Sequence, residues 1–93
     1  MPARSDPLMI GLGEAIRARR RERGGVSQES LGDDCDMHRN YVGGIERAER
    51  KPSFEAVARL ADALEIAPSE LLARAERNAE RYGASWPACR RAG

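Results

Sequence analysis

The sequence predicts an all-α fold, a compact domain of five helices, and three observations lead there. The chain has 93 residues, enough for one hydrophobic core and too few for two. It is 41% apolar and 33% charged but only 4% aromatic, whereas β cores favour aromatic and β-branched side chains. Apolar residues recur at spacings of three and four along most of the chain, the period of a helix that buries one face.

Residues 1–8, with Pro2 and Pro7, read as a loose leader, and the domain proper as 9–82. In the first helix Leu12, Ala15 and Ile16 share a face, and the Gly24-Gly25 pair ends it, because glycine takes the left-handed conformation that closes a helix. The second half of this helix is almost all arginine. Such side chains lay their stems on the core and keep their charges in water.

Ser27 is suited to cap a second helix that starts at Gln28, its hydroxyl accepting from an otherwise unpaired N–H. That helix is short, about two turns, with Leu31 as its core residue and Gly32 small enough to admit a neighbour closely. Asp36 serves as the turn, since aspartate tolerates positive φ better than most residues. Met37, Tyr41, Val42 and Ile45 then give a third helix its apolar face, with His38 at the N-cap. Gly43 and Gly44 inside so short a helix cost about 1 kcal/mol each relative to alanine. Their presence therefore calls for a reason other than helix stability.

Pro52 and Ser53 punctuate the next start, and Phe54, Val57, Leu60, Ala61 and Leu64 form the apolar stripe of a fourth helix. Pro68 suits the first turn of a fifth helix, which carries Leu71, Leu72, Ala75, Ala79 and Tyr82. From residue 83 to 93 the chain reads as a tail, anchored only if Trp86 finds a pocket.

Composition excludes several classes of function. The formal net charge is only +1, yet basic residues gather at 17–23 and 47–51 and acids at Asp33, Asp34 and Asp36, so the surface is two-sided. Cys35 and Cys89 make no disulfide framework, and the N-terminus lacks the apolar stretch of a signal peptide, which points to the cytoplasm. No apolar run approaches the roughly 20 residues that span a bilayer, so no membrane partner is expected. With one histidine, no nucleophile beside a base and no glycine-rich phosphate loop, enzymatic chemistry is not expected. Cys35 and His38 stand at C-x-x-H spacing, but zinc needs three or four ligands, so neither metal nor cofactor is implied. Cys35 is read as a small buried helix residue.

Two short helices joined by a tight turn, with a small residue in the first and apolar anchors in the second, form a helix-turn-helix. The residues Ser27-Gln28-Glu29-Ser30-Leu31, then Asp36 to Arg47, then Lys51-Pro52-Ser53, resemble the lambda repressor and Cro family of XRE-like regulators over about residues 10–73. Asp36 and Ala48 stand where that family usually has glycine, and Gly24-Gly25 lengthens the first turn by a residue. The HTH anchors are then Leu31, Gly32, Met37, Val42 and Ile45.

The resemblance implies that the protein binds double-stranded DNA and regulates transcription. Gln28 would pin a phosphate while the N-terminal part of the third helix faces base edges. Arg39 can offer two donors to guanine O6 and N7, and Asn40 can pair with adenine or donate to a phosphate. His38 is a cap, a phosphate neighbour or a base reader, and Gly43 and Gly44 would let the helix sit deep against the bases. Ser27, Tyr41, Arg47, Arg50 and Lys51 are candidates for the phosphate backbone. Arg20 and Glu46 are similar to a family ion pair that locks the first helix to the recognition helix.

A homodimer is expected, since one recognition helix reads only a few base pairs and a two-fold doubles the site. Leu72, Ala75, Ala79 and Tyr82 are the candidate interface. The competing use of these residues is packing on their own core. The competing function is an antitoxin or adaptor whose C-terminal extension, Arg74–Arg81, holds a protein partner.

Overall fold

The computed structural model describes residues 6–85. It holds five helices in the order α1 (Pro7–Glu22), α2 (Gln28–Cys35), α3 (Arg39–Glu46), α4 (Phe54–Ala63) and α5 (Pro68–Glu80). The helix starts follow local chemistry. Asp6 caps α1 by accepting from the Leu8 N–H at 2.9 Å, with Pro7 in the first turn where its missing N–H costs nothing. The helix therefore begins two residues earlier than a leader of 1–8 allows. Ser27 and Ser53 cap α2 and α4, each accepting from the N–H three residues on at 3.0 Å.

The connections use positive φ where the chain must reverse. Asp36 lies at φ 58° between α2 and α3, and Ala48 at φ 60° after α3. Both are L-residues in the left-handed conformation, which glycine adopts without a Cβ penalty.

The core is one cluster. Leu12 and Ile16 of α1, Leu31 of α2, Val42 and Ile45 of α3, Leu60 and Leu64 of α4 and Leu71 of α5 supply its largest fully buried side chains. Met37 and Tyr41 pack half-buried against it. Cys35 is buried, and its thiol donates to the Arg59 carbonyl at 3.5 Å. Burial, and then the charges of Asp34 and Asp62, push that thiol up from its ordinary pKa, which keeps it protonated and inert.

The most extensive helix pair is α1 with α5. They meet closely because Gly11 sits directly under the backbone of Ala75 and Ala79, and any Cβ there would strike the Ala75 carbonyl. Ala75 and Ala79 are accordingly 0% exposed. Asn78 donates to the Gly11 carbonyl at 3.1 Å, and Tyr82 and Arg81 both bond Glu14. The α5 stripe is thus used within the chain, and Ala75 and Ala79 cannot form an intermolecular surface. Of the four expected interface residues, only Leu72, half-buried, and Tyr82, 44% exposed, retain exposed area.

One stripe residue departs from expectation more sharply. Phe54, placed by periodicity in the core with Val57 and Leu60, is 82% exposed. It is the first residue of α4 and stands ahead of the stretch that is buried, which begins at Ala56, so its place at the helix end and not its face leaves it in water. Trp86, Cys89 and the rest of the tail lie outside the described residues.

Candidate nucleic-acid interface

The geometry of the site begins with a buried carboxylate. Glu46 ends α3, and its side chain is wholly removed from solvent. Arg20 of α1 grips it with both arms of its guanidinium, Nε to Oε2 at 2.6 Å and Nη2 to Oε1 at 2.8 Å. Gln28 donates from Nε2 to Oε1 at 3.0 Å, and Arg17 reaches the same oxygen at 3.4 Å. The remaining arm of Arg20 donates to the Val26 carbonyl at 2.7 Å. One carboxylate therefore ties together the end of α3, the start of α2, α1 and the loop between α1 and α2. Burial pushes the Glu46 carboxyl up, but the hydrogen bonds from Arg20 and Gln28 and the Arg20 charge outweigh it, so its pKa lies below the usual glutamate range. The same bond raises Arg20.

This cluster sets the pose of α3. Gly13 completes it, since a side chain there would collide with the Glu46 carbonyl. Gly32 plays the equivalent part in the turn, its face lying against the Met37 carbonyl. With α3 held from behind, its N-terminal end projects outward. Arg39 and Asn40 are exposed there, and His38 caps the helix by accepting from the Asn40 N–H at 3.0 Å through Nδ1. A neutral imidazole accepting at Nδ1 carries its proton on Nε2, which is left as a donor.

Arg39 is not idle in this state. Its Nη1 bonds Glu29 of α2 at 2.9 Å, with both side chains more than 60% exposed. Sequence reasoning did not single out Glu29. Its position one residue after Gln28 places it beside the start of α3 only once α2 and α3 are packed.

At the other end of α3, Arg47, Arg50 and Lys51 are exposed. Arg47 pairs with Glu49 at 3.3 Å. The Arg50 stem crosses α3 directly over Gly44, and its guanidinium lies 6.0 Å from the centre of the Tyr41 ring.

A helix pair with two short members, the second projecting an exposed N-terminus between two basic stretches, is matched by a known family. The model of the helix-turn-helix domain covers residues 12–75 of this chain. The protein belongs to the helix-turn-helix transcriptional regulators. It is 37% identical to the control protein C.BamHI of Bacillus amyloliquefaciens over 65 residues, 70% of this chain and 80% of the relative. The restriction-modification controller protein C.AhdI from Aeromonas hydrophila superposes with a TM-score of 0.65 at 40% identity, over 68% of this chain and 94% of that one. The clp gene regulator ClgR from Corynebacterium glutamicum matches with a TM-score of 0.75 at 26% identity, over 80% of this chain and 78% of that one. These likenesses favour a DNA-binding regulator over an antitoxin or adaptor. Among the described residues of the regulator, no helix is long and apolar enough to cross a membrane.

The regulator's glycine pair has a different reason from the one its sequence suggests. Gly43 and Gly44 are buried, not open to an approaching duplex. A Cβ on Gly43 would lie 2.9 Å from Arg47 Nη1 and 3.1 Å from Gln28 Oε1, and one on Gly44 would lie 2.7 Å from Arg50 Cγ. The two missing side chains make room for the regulator's own Gln28, Arg47 and Arg50 to fold across α3. In this arrangement the glycines are covered by candidate DNA-contacting side chains of the same chain.

Proposed function

We propose that this regulator is a control protein of a restriction-modification system, acting in the cytoplasm as a homodimer on a pseudopalindromic operator. The observation that carries the reading is the held pose of α3. The Glu46 cluster fixes it from behind while Arg39 and Asn40 stand exposed at its N-terminus. Similarity to two restriction-modification control proteins over about two thirds of the chain supports the biological setting.

In this reading Arg39 donates to guanine O6 and N7 and Asn40 meets a neighbouring adenine or phosphate. His38 offers Nε2–H beside them. Ser27, Gln28, Tyr41, Arg47, Arg50 and Lys51 position the backbone, each phosphate contact releasing a condensed counterion. Binding requires Arg39 to leave Glu29, which costs little because exposed ion pairs contribute little.

Selection of bound fragments from a random duplex pool, followed by titration at several salt concentrations, tests the proposal. The expected product is a palindrome with half-sites about one helical turn apart, and an affinity that falls steeply with salt. Enrichment of no sequence, or of a single unrepeated site, would overturn it.

A further inference from the structure

Glu29 places a negative charge where an approaching polyanion disfavours one. It is the second residue of α2, directly after Ser27 and Gln28, the proposed backbone contacts, so it stands on the side of the molecule that meets the duplex. An acid in a first turn interacts well with the positive end of its helix. That accounts for Glu29 within α2 but not for its reach to α3, where Oε2 accepts from Arg39 Nη1 at 2.9 Å. Among the described residues its second oxygen, Oε1, accepts no hydrogen bond. An open hollow of about 340 Å³, lined by Glu29, Asp33, Met37, His38 and Arg39, leaves space beside the pair.

When Arg39 swings to guanine O6 and N7, its former partner is left on the groove side with both oxygens open. Most groups on a major-groove edge repel a carboxylate, since guanine O6 and N7, thymine O4 and adenine N7 are all acceptors. Only cytosine N4 and adenine N6 donate, and adenine sets N7 beside its amino group, whereas cytosine presents no acceptor on that edge. The spacing also fits. The bonded atoms of Glu29 and Arg39 are 2.9 Å apart, and successive bases on a strand are stacked about 3.4 Å apart. A carboxylate one hydrogen bond from a guanine-reading guanidinium therefore meets the neighbouring base pair.

We infer that Glu29 is itself a base-reading residue, accepting from N4 of a cytosine in the base pair next to the guanine that Arg39 reads. The two side chains then work by exchange. In the free protein each satisfies the other, and on DNA both find new partners only where guanine and cytosine stand in adjacent pairs. On other sequences either the bond to Glu29 is kept or a carboxylate is left facing acceptors, so Arg39 adds little to non-specific binding. The inference rests on the DNA reading above and on Arg39 as the reader of guanine.

Selection from a random duplex pool with the full-chain wild type, Glu29→Ala, Glu29→Gln and Asp33→Asn tests it, followed by titration of single-pair changes in the wild-type operator. Circular dichroism verifies folding, and all should melt near the wild-type temperature because the bond to Arg39 is exposed. The wild type should select guanine and cytosine in adjacent pairs of each half-site, and changing that cytosine to thymine should weaken binding on the order of 10-fold. Glu29→Ala should keep the guanine but reduce the penalty at the neighbouring pair to within about twofold. Glu29→Gln, which donates as well as accepts, should come to accept adenine there. Asp33→Asn should select the wild-type site. A wild-type half-site with no cytosine beside the guanine, base preferences unchanged in Glu29→Ala or Glu29→Gln, an affinity gain equal for all sequences, or loss of the guanine itself would each overturn the assignment. If the wild type enriches no sequence, the DNA reading falls and takes the inference with it. If it enriches a palindrome that Arg39→Ala flattens at the guanine while Glu29→Ala changes nothing, only the inference falls.

Discussion

Replacing Glu46 with glutamine isolates the element on which the whole recognition surface depends. The carboxylate is fully buried and accepts from Arg20 twice, from Gln28 and, more weakly, from Arg17. Removing one member of a buried ion pair costs about 3–5 kcal/mol, because the other charge loses its compensation. Two features reduce this. The Arg20 side chain retains 15% exposure and can draw in water, and the glutamine carbonyl still accepts a hydrogen bond. A loss of about 2–4 kcal/mol follows. At about 4–8 °C per kcal/mol for a domain of this size, the melting temperature should fall by roughly 8–32 °C.

Urea unfolding followed by circular dichroism at pH 7 reads the loss directly. A second reading comes from pH. The folded-state pKa of Glu46 lies below the ordinary glutamate value of 4.5. Its contribution is therefore complete above that value and disappears as pH falls through the lower folded one. Wild-type stability should drop across this acid window, and the curve for Glu46→Gln should be flatter. Hydrogen bonds lower Glu22, from Arg74 and Arg19, and Glu65, from Arg23, but both groups persist in the variant. The difference between the two curves belongs to Glu46. Replacing Arg20 and Glu46 together by methionine should recover much of the loss. A Glu46→Gln protein within about 0.5 kcal/mol of the wild type, with the same acid limb, would refute the reasoning.

Three further outcomes are expected. Arg39→Ala should leave stability nearly unchanged, since its bond to Glu29 is exposed, but should cost about 1–3 kcal/mol at the selected operator and flatten preference at one base pair, read by competition binding. Gly44→Ala should drive Arg50 off Tyr41, because the new Cβ would stand 2.7 Å from Arg50 Cγ. Its affinity should fall alike for all sequences, with the salt dependence reduced by up to about 0.9 for the lost phosphate contact. Asp36→Gly should raise the melting temperature by a few degrees, about 0.5 kcal/mol, as relief of the left-handed strain exceeds the added chain entropy. Asp36→Val should lower it.

Much of the fold was legible because its signals are local. Serine caps, prolines in first turns and aspartate at the reversal act over three or four residues, and they placed the starts of α2, α4 and α5. The exception is α1, because nothing local distinguishes Asp6 in a proline-flanked leader from Asp6 as the cap that accepts from the Leu8 N–H. Phe54 departs from the pattern for a different reason. A stripe of five apolar residues does not say where the neighbouring helix stops, and α4 lies against its neighbours only from Ala56 onward. The glycine pair signalled that space is needed along α3, but not that the side chains filling it are Gln28, Arg47 and Arg50.

By itself the sequence determined the five helices, the caps of α2, α3 and α4 and the helix-turn-helix register, because hydrophobic period and capping chemistry are properties of short segments. It also placed Arg39 and Asn40 at the start of α3. Only the tertiary structure decided which face of each helix meets which. It joined Gln28 and Arg17 to the Arg20–Glu46 pair across separations of 18 and 29 residues. It also laid Arg50 over Gly44, used Ala75 and Ala79 against Gly11, and left Phe54 in water. These outcomes depend on the packing of helices distant in sequence, where the closest approach of two backbones selects the side chains that fit.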